Sequence, residues 1–277
     1  MTNAYPPEHH LLRDLRFTFE HDDDARRSRA WMPVVPELCT EHGHARAGAL
    51  ATLVDVIGGG LAANAAAPDW IATADLTLHL VRGAPAGAVV EARGEILRAG
   101  RTTVVMEVAL VDDAAREVGL ATMSFSVLPR RDTNPDIGAV RGTGPSTMAV
   151  GDSRLEQPLF DAMGARVVDA VHGVLDVPVS EWSRNSMGAM QGGVVAMVSE
   201  FAAEAALRAA SGEPLVVVDL QLTYLGFGRV GPVRTHAEVV GLDPAAGRGA
   251  ARVDLADAGA ENRAMTVARV VATRGLA

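Results

Sequence analysis

Between Asn185 and Glu200 the chain reads NSMGAMQGGVVAMVSE, and its polar members are spaced for carbonyl chemistry. A Gly-Gly pair at a helix start, here Gly192 and Gly193, leaves backbone N–H groups unobstructed, and these carry the partial positive charge of the helix terminus. Such amides polarise a carbonyl and hold the oxyanion that develops during nucleophilic addition. Asn185 offers a side-chain amide to the same oxygen or to an attacking water. Glu200 follows Gly192 by eight residues, about 12 Å along a helix, so it cannot act on a carbonyl held at that tip. An antiparallel partner helix would bring its own carboxylate there.

The chain supplies such a partner. Thr40 to Asp55, TEHGHARAGALATLVD, is a weaker copy in which Thr40, Gly43, Arg46, Ala47, Gly48 and Asp55 hold the corresponding places. From Ala47 to Pro68 Asp55 is the only ionisable residue, and a carboxylate on so apolar a helix is costly unless paired or used. Its structural alternative is to cap a neighbouring loop. Joining the intact tip (Asn185, Gln191, Gly192) to Asp55 makes Asp55 a general base or a nucleophile. The reciprocal tip (Thr40, Arg46, Ala47) would face Glu200. Glu200, Glu204 and Arg208 also read as a solvated stripe at i, i+4 and i+8.

The elements that must position these residues repeat. Asp55 and Glu200 are 145 residues apart, and Asp75 and Asp219, like Gly87 and Gly231, are 144 apart. Each half holds one long apolar helix, near residues 48–66 and 192–210. Alternating stretches follow: ADLTLHLVR, AVVEARGEILR, TTVVMEVALVD and VGLATMSFSVL in the first half, and VVVDLQLTYL, GPVRTHAEVVGL, AARVDLAD and AMTVARVVA in the second. Period-two alternation predicts half-buried antiparallel strands, hence an α+β plan with a sheet wrapping each helix. Residues 129–147, rich in Pro, Gly, Asp and Arg, read as a linker. The expected division is 1–130, a linker 131–150, and 151–277.

Composition bounds the function. The chain is 48% hydrophobic but 4% aromatic, so its core is built from Ala, Val, Leu and Met. All 25 basic residues are Arg, which reads as codon bias, and the formal charge of -9 argues against nucleic-acid and membrane-surface partners. One cysteine, Cys39, fits a reducing compartment, and no secretory signal is visible at the start; the expectation is cytoplasmic. The apolar stretch 47–67 is long enough to cross a bilayer, but Asp55, Asn64 and three glycines favour a buried helix. Cys39, His42 and His44 crowd one turn without a fourth ligand, so no metal is expected. Gly58 to Gly60 lack the spacing of a dinucleotide fingerprint, and no cofactor is expected.

The pattern Asn185, Gly188, Gln191, Gly192, Gly193 and Glu200 resembles the signature of the hotdog-fold acyl-CoA thioesterases of the PaaI type, with Gln191 where that family most often has His. The weaker first-half copy makes the chain similar to a double hotdog: two tandem hotdog domains, each an antiparallel sheet wrapped around a long central helix, packed as a pseudo-dimer. The resemblance implies hydrolysis of acyl-CoA to free acid and coenzyme A at a site between the halves. It implies that Thr73 positions the water or the carboxylate, and that Arg82, Arg98 and Arg101 meet the nucleotide phosphates. Val218, the matching strand position for the reciprocal site, lacks a hydroxyl, so that site is expected to be weak or inactive. Surface arginines are as readily a solvated face. The decayed first-half motif leaves a non-catalytic acyl-CoA-binding module as the alternative; a hydratase is disfavoured because the D-x-N-x-x-H pairing is missing. Hotdog sheet edges imply a homo-oligomer. Acyl identity is open.

Overall fold

The computed structural model describes residues 5–21, 26–130 and 145–276. In chain order the first half comprises α1 (Leu11–Asp14), β1 (Thr18–His21), β2 (Arg27–Pro33), the long α2 (Ala47–Ala66), β3 (Trp70–Leu80), β4 (Val89–Ala99), β5 (Thr103–Val111) and β6 (Glu117–Leu128). A short β7 (Ser146–Thr147) follows. The second half comprises α3 (Leu159–Ala162), β8 (Arg166–Asp169), β9 (Val174–Val177), the long α4 (Gly192–Ser211), β10 (Val216–Tyr224), β11 (Val233–Asp243), β12 (Arg248–Asp257) and β13 (Arg263–Thr273).

Among the described residues these strands form one thirteen-stranded antiparallel sheet in the order β7-β1-β2-β4-β5-β6-β3-β10-β13-β12-β11-β9-β8. The halves meet where β3 pairs with β10, Asp219 opposite His79 through Thr223 opposite Asp75. Matching bulges, between Thr73 and Asp75 and between Val217 and Asp219, mark where each strand leaves the seam. Cross-strand bonds lock the register: Thr223 donates to Asp75 at 3.0 Å, and His79 Nδ1 is 2.6 Å from Asp219. The tandem hotdog expectation therefore stands, and each long helix packs mainly on the strands of its own half of the sheet.

The two helices touch at their first turns. A Cβ on Gly48 would strike the Met197 backbone, and one on Gly193 would strike Thr52, so only glycine permits this approach. The contacts are related by the 145-residue repeat, and they set α2 and α4 antiparallel with each N-terminus beside the middle of the other.

α2 is long and apolar enough to cross a membrane. Here it is packed as the core helix of the first half, with thirteen of its twenty residues buried. The read linker lies mostly outside the described residues; its described end is ordered, since Ser146 and Thr147 pair with Phe19 and Thr18. Alternation missed the short strands β1, β2, β8 and β9 and the one-turn helices α1 and α3, because four- to seven-residue elements carry too few periods to read. The stripe reading of Glu200, Glu204 and Arg208 is corrected: Glu200 is 0% exposed, and only Arg208 is solvated.

Candidate active site

Both helix tips are built alike. Before α4, the Asn185 N–H bonds to the Ala189 carbonyl at 2.7 Å, and Gly188 turns the chain at φ +73°. Before α2, the Thr40 N–H bonds to the His44 carbonyl at 2.8 Å, and Gly43 turns at φ +77°. These glycines occupy the left-handed region that other residues pay to enter. Each loop delivers an extended N-cap residue, Gln191 or Arg46, with no side-chain cap, so the first amides of each helix are left to other acceptors.

At the α4 tip the acceptor is incomplete. Asp55, 8% exposed, lies so close to Gly192 that an added Cβ would sit 2.8 Å from its Oδ2. The Thr73 hydroxyl donates to Asp55 Oδ1 at 2.8 Å. Among the described residues the Gly192 N–H has no protein acceptor. Burial pushes the Asp55 carboxyl up to about 6, with the Thr73 hydroxyl and the Gly193 N–H pulling the other way. A carboxyl at that value is ionised at neutral pH yet basic enough to accept a proton.

Gln191 is 5% exposed, and its Oε1 is buried without a partner. A lone acceptor of this kind carries a desolvation cost unless a bound water or substrate satisfies it. Asn185 lies in the loop that leads into α4. Its Oδ1 accepts the Met187 and Ala189 N–H groups at 2.9 and 3.0 Å, bracing the loop, so its oxygen is already engaged.

At the α2 tip the acceptor is complete. Glu200 is one methylene longer than Asp55 and reaches across, accepting the Ala47 and Gly48 amides at 3.1 and 2.7 Å. Arg46 pairs with Glu204 at 2.7 Å, lies 3.8 Å from Glu200, and stacks over Phe201 at 4.3 Å. Burial followed by the neighbouring Glu204 charge raises the Glu200 carboxyl, against Arg46 and the two amides. The first-turn amides that could hold an oxyanion at this tip are therefore taken by the protein's own carboxylate.

Tyr224 went unread in the sequence. Its hydroxyl donates to the Gly192 carbonyl at 2.9 Å, fixing the first turn of α4. Burial and then the Asp55 charge raise its phenol well above the usual value. Tyr5 responds to the same two causes. These are the chain's two tyrosines, and their rarity was the available signal.

The three candidate arginines are scattered. Arg82 follows β3, its Nη1 donating to the Glu117 carbonyl at 2.9 Å. Its loop serves the α2 tip, because the Ala45 N–H bonds to the Ala84 carbonyl; the α4 tip uses the counterpart loop, where the Met190 N–H bonds to the Gly228 carbonyl. Arg98 and Arg101 flank the β4–β5 turn. Cys39 Sγ faces the Val35 carbonyl at 3.4 Å, and the His44 ring packs against Gly83.

Comparison with known proteins agrees with this architecture. Residues 42–118, which include Asp55 and Thr73, match the family model of the thioesterase superfamily. No curated protein matches the chain. Among solved structures it is similar to an acyl-ACP thioesterase from Bacteroides thetaiotaomicron VPI-5482, with TM-score 0.58 and 10% identity over 91% of this chain and 99% of that one. It is also similar to the 12:0-ACP thioesterase from Umbellularia californica, with TM-score 0.58 and 12% identity over 89% of this chain and 93% of that one. The fold is the tandem hotdog of these thioesterases, and the family match supports a thioester hydrolase.

Proposed function

We propose that the chain is an acyl-CoA thioesterase of the PaaI type with one working site, between the halves, at the α4 tip. The observation that carries the reading is the asymmetry of the tips: the Asp55 carboxylate lies against Gly192 and leaves its N–H open, while Glu200 occupies the amides of Ala47 and Gly48. The thioester oxygen binds the Gly192 N–H at the positive end of α4, where negative charge developing on it is stabilised. Thr73 holds one oxygen of Asp55, and the other takes a proton from a water as that water adds to the carbonyl carbon. The buried Gln191 Oε1 accepts the second hydrogen of the water. Collapse of the adduct breaks the C–S bond, and the proton held by Asp55 passes to the departing thiolate, which restores the carboxylate. Direct attack by Asp55, giving an acyl anhydride that water then opens, fits the same contacts.

In this reading Arg82, Arg98 and Arg101 are candidates for the phosphorylated handle, and Asn185 acts by shaping the loop. Glu200 belongs to the closed tip. The domain division at 131–150, a cytoplasmic setting, no nucleic-acid or membrane partner, and a homo-oligomer complete it. A hydrolysis screen over acyl-CoAs of varied chain length, with Asp55→Asn beside the wild type, tests it. The expected result is turnover that the substitution abolishes. Acyl-CoA binding without turnover at any length would instead favour a non-catalytic module.

A further inference from the structure

The segment from Tyr5 to Leu15 belongs to the first half by sequence but is fastened to the loop that shapes the α4 tip. His10 is fully buried. Its Nδ1 accepts the Leu12 N–H at 3.1 Å and caps α1, which leaves the proton on Nε2 to donate to the Arg184 carbonyl at 2.7 Å. Arg184 immediately precedes Asn185. Trp182 Nε1 donates to Asp14 at 2.7 Å. Arg13 ties the segment to itself and to the linker end through the carbonyls of Pro6, Pro7 and Met148. At the other tip α3 has Pro158 where α1 has His10, and its Phe160 ring packs on Phe201 instead.

Tyr5 begins the described part of this strap. Its ring meets the His10 ring edge-on at 5.2 Å and is 41% exposed. Its phenol is nonetheless raised, first by burial and then by the charge of Asp55, so the two groups share one electrostatic neighbourhood. We infer that this strap is a wall of the reaction chamber and that the Tyr5 ring, where the chamber meets solvent, limits the size of the acyl group lodged beside Asp55. The inference rests on the reading of Asp55 as the reacting carboxylate. The strap is covalently part of the base-bearing half yet hydrogen-bonded to the oxyanion-bearing half, so it closes the site across both.

Two readouts on Tyr5→Ala and Tyr5→Phe test this. The first is the ratio of kcat/KM for long over short acyl-CoAs: Tyr5→Ala shifts it toward the larger group by about tenfold, the scale on which pocket volume discriminates, and Tyr5→Phe preserves it. The second is labelling of Asp55 by a water-soluble carbodiimide, read by mass spectrometry. It proceeds several-fold faster in Tyr5→Ala than in the wild type and at the wild-type rate in Tyr5→Phe. Unchanged acyl preference and unchanged labelling in Tyr5→Ala overturn the inference even if Asp55→Asn abolishes hydrolysis. If the wild type hydrolyses no acyl-CoA, the thioesterase reading falls, and labelling alone decides whether Tyr5 is a wall.

Discussion

Glu200 accepts the Ala47 N–H at 3.1 Å across the helix interface, whereas Asp55, 145 residues earlier in the repeat, leans against Gly192, the counterpart of Ala47, without taking its amide. One methylene separates a carboxylate that takes both first-turn amides of the neighbouring helix from one that leaves the Gly192 amide without a protein acceptor.

Activity should divide accordingly. Asp55→Asn removes the proton acceptor and lowers kcat by about 10²–10⁴-fold, the usual span for a lost general base. Glu200→Gln keeps the shape of the α2 tip and leaves kcat/KM close to wild type. Steady-state kinetics on both variants decides between one site and two; equal losses would mean that both tips react.

The pH dependence follows from the raised Asp55 carboxyl. With the acid at about 6, the rate is flat above that pH and falls about tenfold per unit below it, because only the carboxylate accepts a proton. Stability runs the other way. Between the unfolded value of 3.8 and about 6 the folded state retains a proton that the unfolded chain has released. Stability from this group is therefore full below the lower value and lost as pH rises through the upper one. At pH 7 the charged, buried carboxylate costs about 3 kcal/mol, so Asp55→Asn should melt higher than wild type there, with the gap closing by pH 4. Calorimetry across that window reads the difference.

Gly192→Ala puts a methyl 2.8 Å from Asp55 Oδ2 and 3.2 Å from its Cγ. The carboxylate must move, and a displacement near 1 Å costs on the order of a hundredfold in rate. Circular dichroism and melting show whether the fold is kept while kcat falls.

Arg46→Met leaves Glu200 and Glu204 without their shared cation, although Glu200 keeps its two amides. Removing one member of a buried ionic cluster costs about 3–5 kcal/mol. Chemical denaturation should register a loss of this order at pH 7 and a smaller one at low pH, where both acids are protonated.

Single-turnover hydrolysis in H₂¹⁸O separates the two routes open to Asp55. Label in the Asp55 carboxyl shows attack by Asp55 with water opening the anhydride at the Asp55 carbonyl; label confined to the product acid is the result expected of a base. Peptide mass spectrometry of the segment carrying Asp55 reads the outcome.

Much of the site was legible because it obeys short spacings. The Gly-Gly tip, the distance to each carboxylate and the 145-residue repeat locate Asp55 opposite Gly192, and Thr73 lies at the strand start that follows α2. What escaped depends on contacts that no local period encodes. Glu200 reads both as the carboxylate facing the reciprocal tip and as part of a solvated stripe with Glu204 and Arg208, because the cation beside it, Arg46, lies in the other half. The bracing of the loop by Asn185 Oδ1 also escaped, although an Asn side chain commonly bonds its own backbone two residues on. His10 and Arg184 are 174 residues apart, and a pairing at that separation leaves no trace in composition or alternation.

The seam between β3 and β10 has an evolutionary corollary. Two identical subunits joined along such a line must accept every substitution twice, so a residue that strengthens one end also silences the other. Once both copies lie on one chain, that constraint lapses. One end is free to become a structural clasp, as Arg46 and Glu200 have made it, while its twin keeps an unfilled amide.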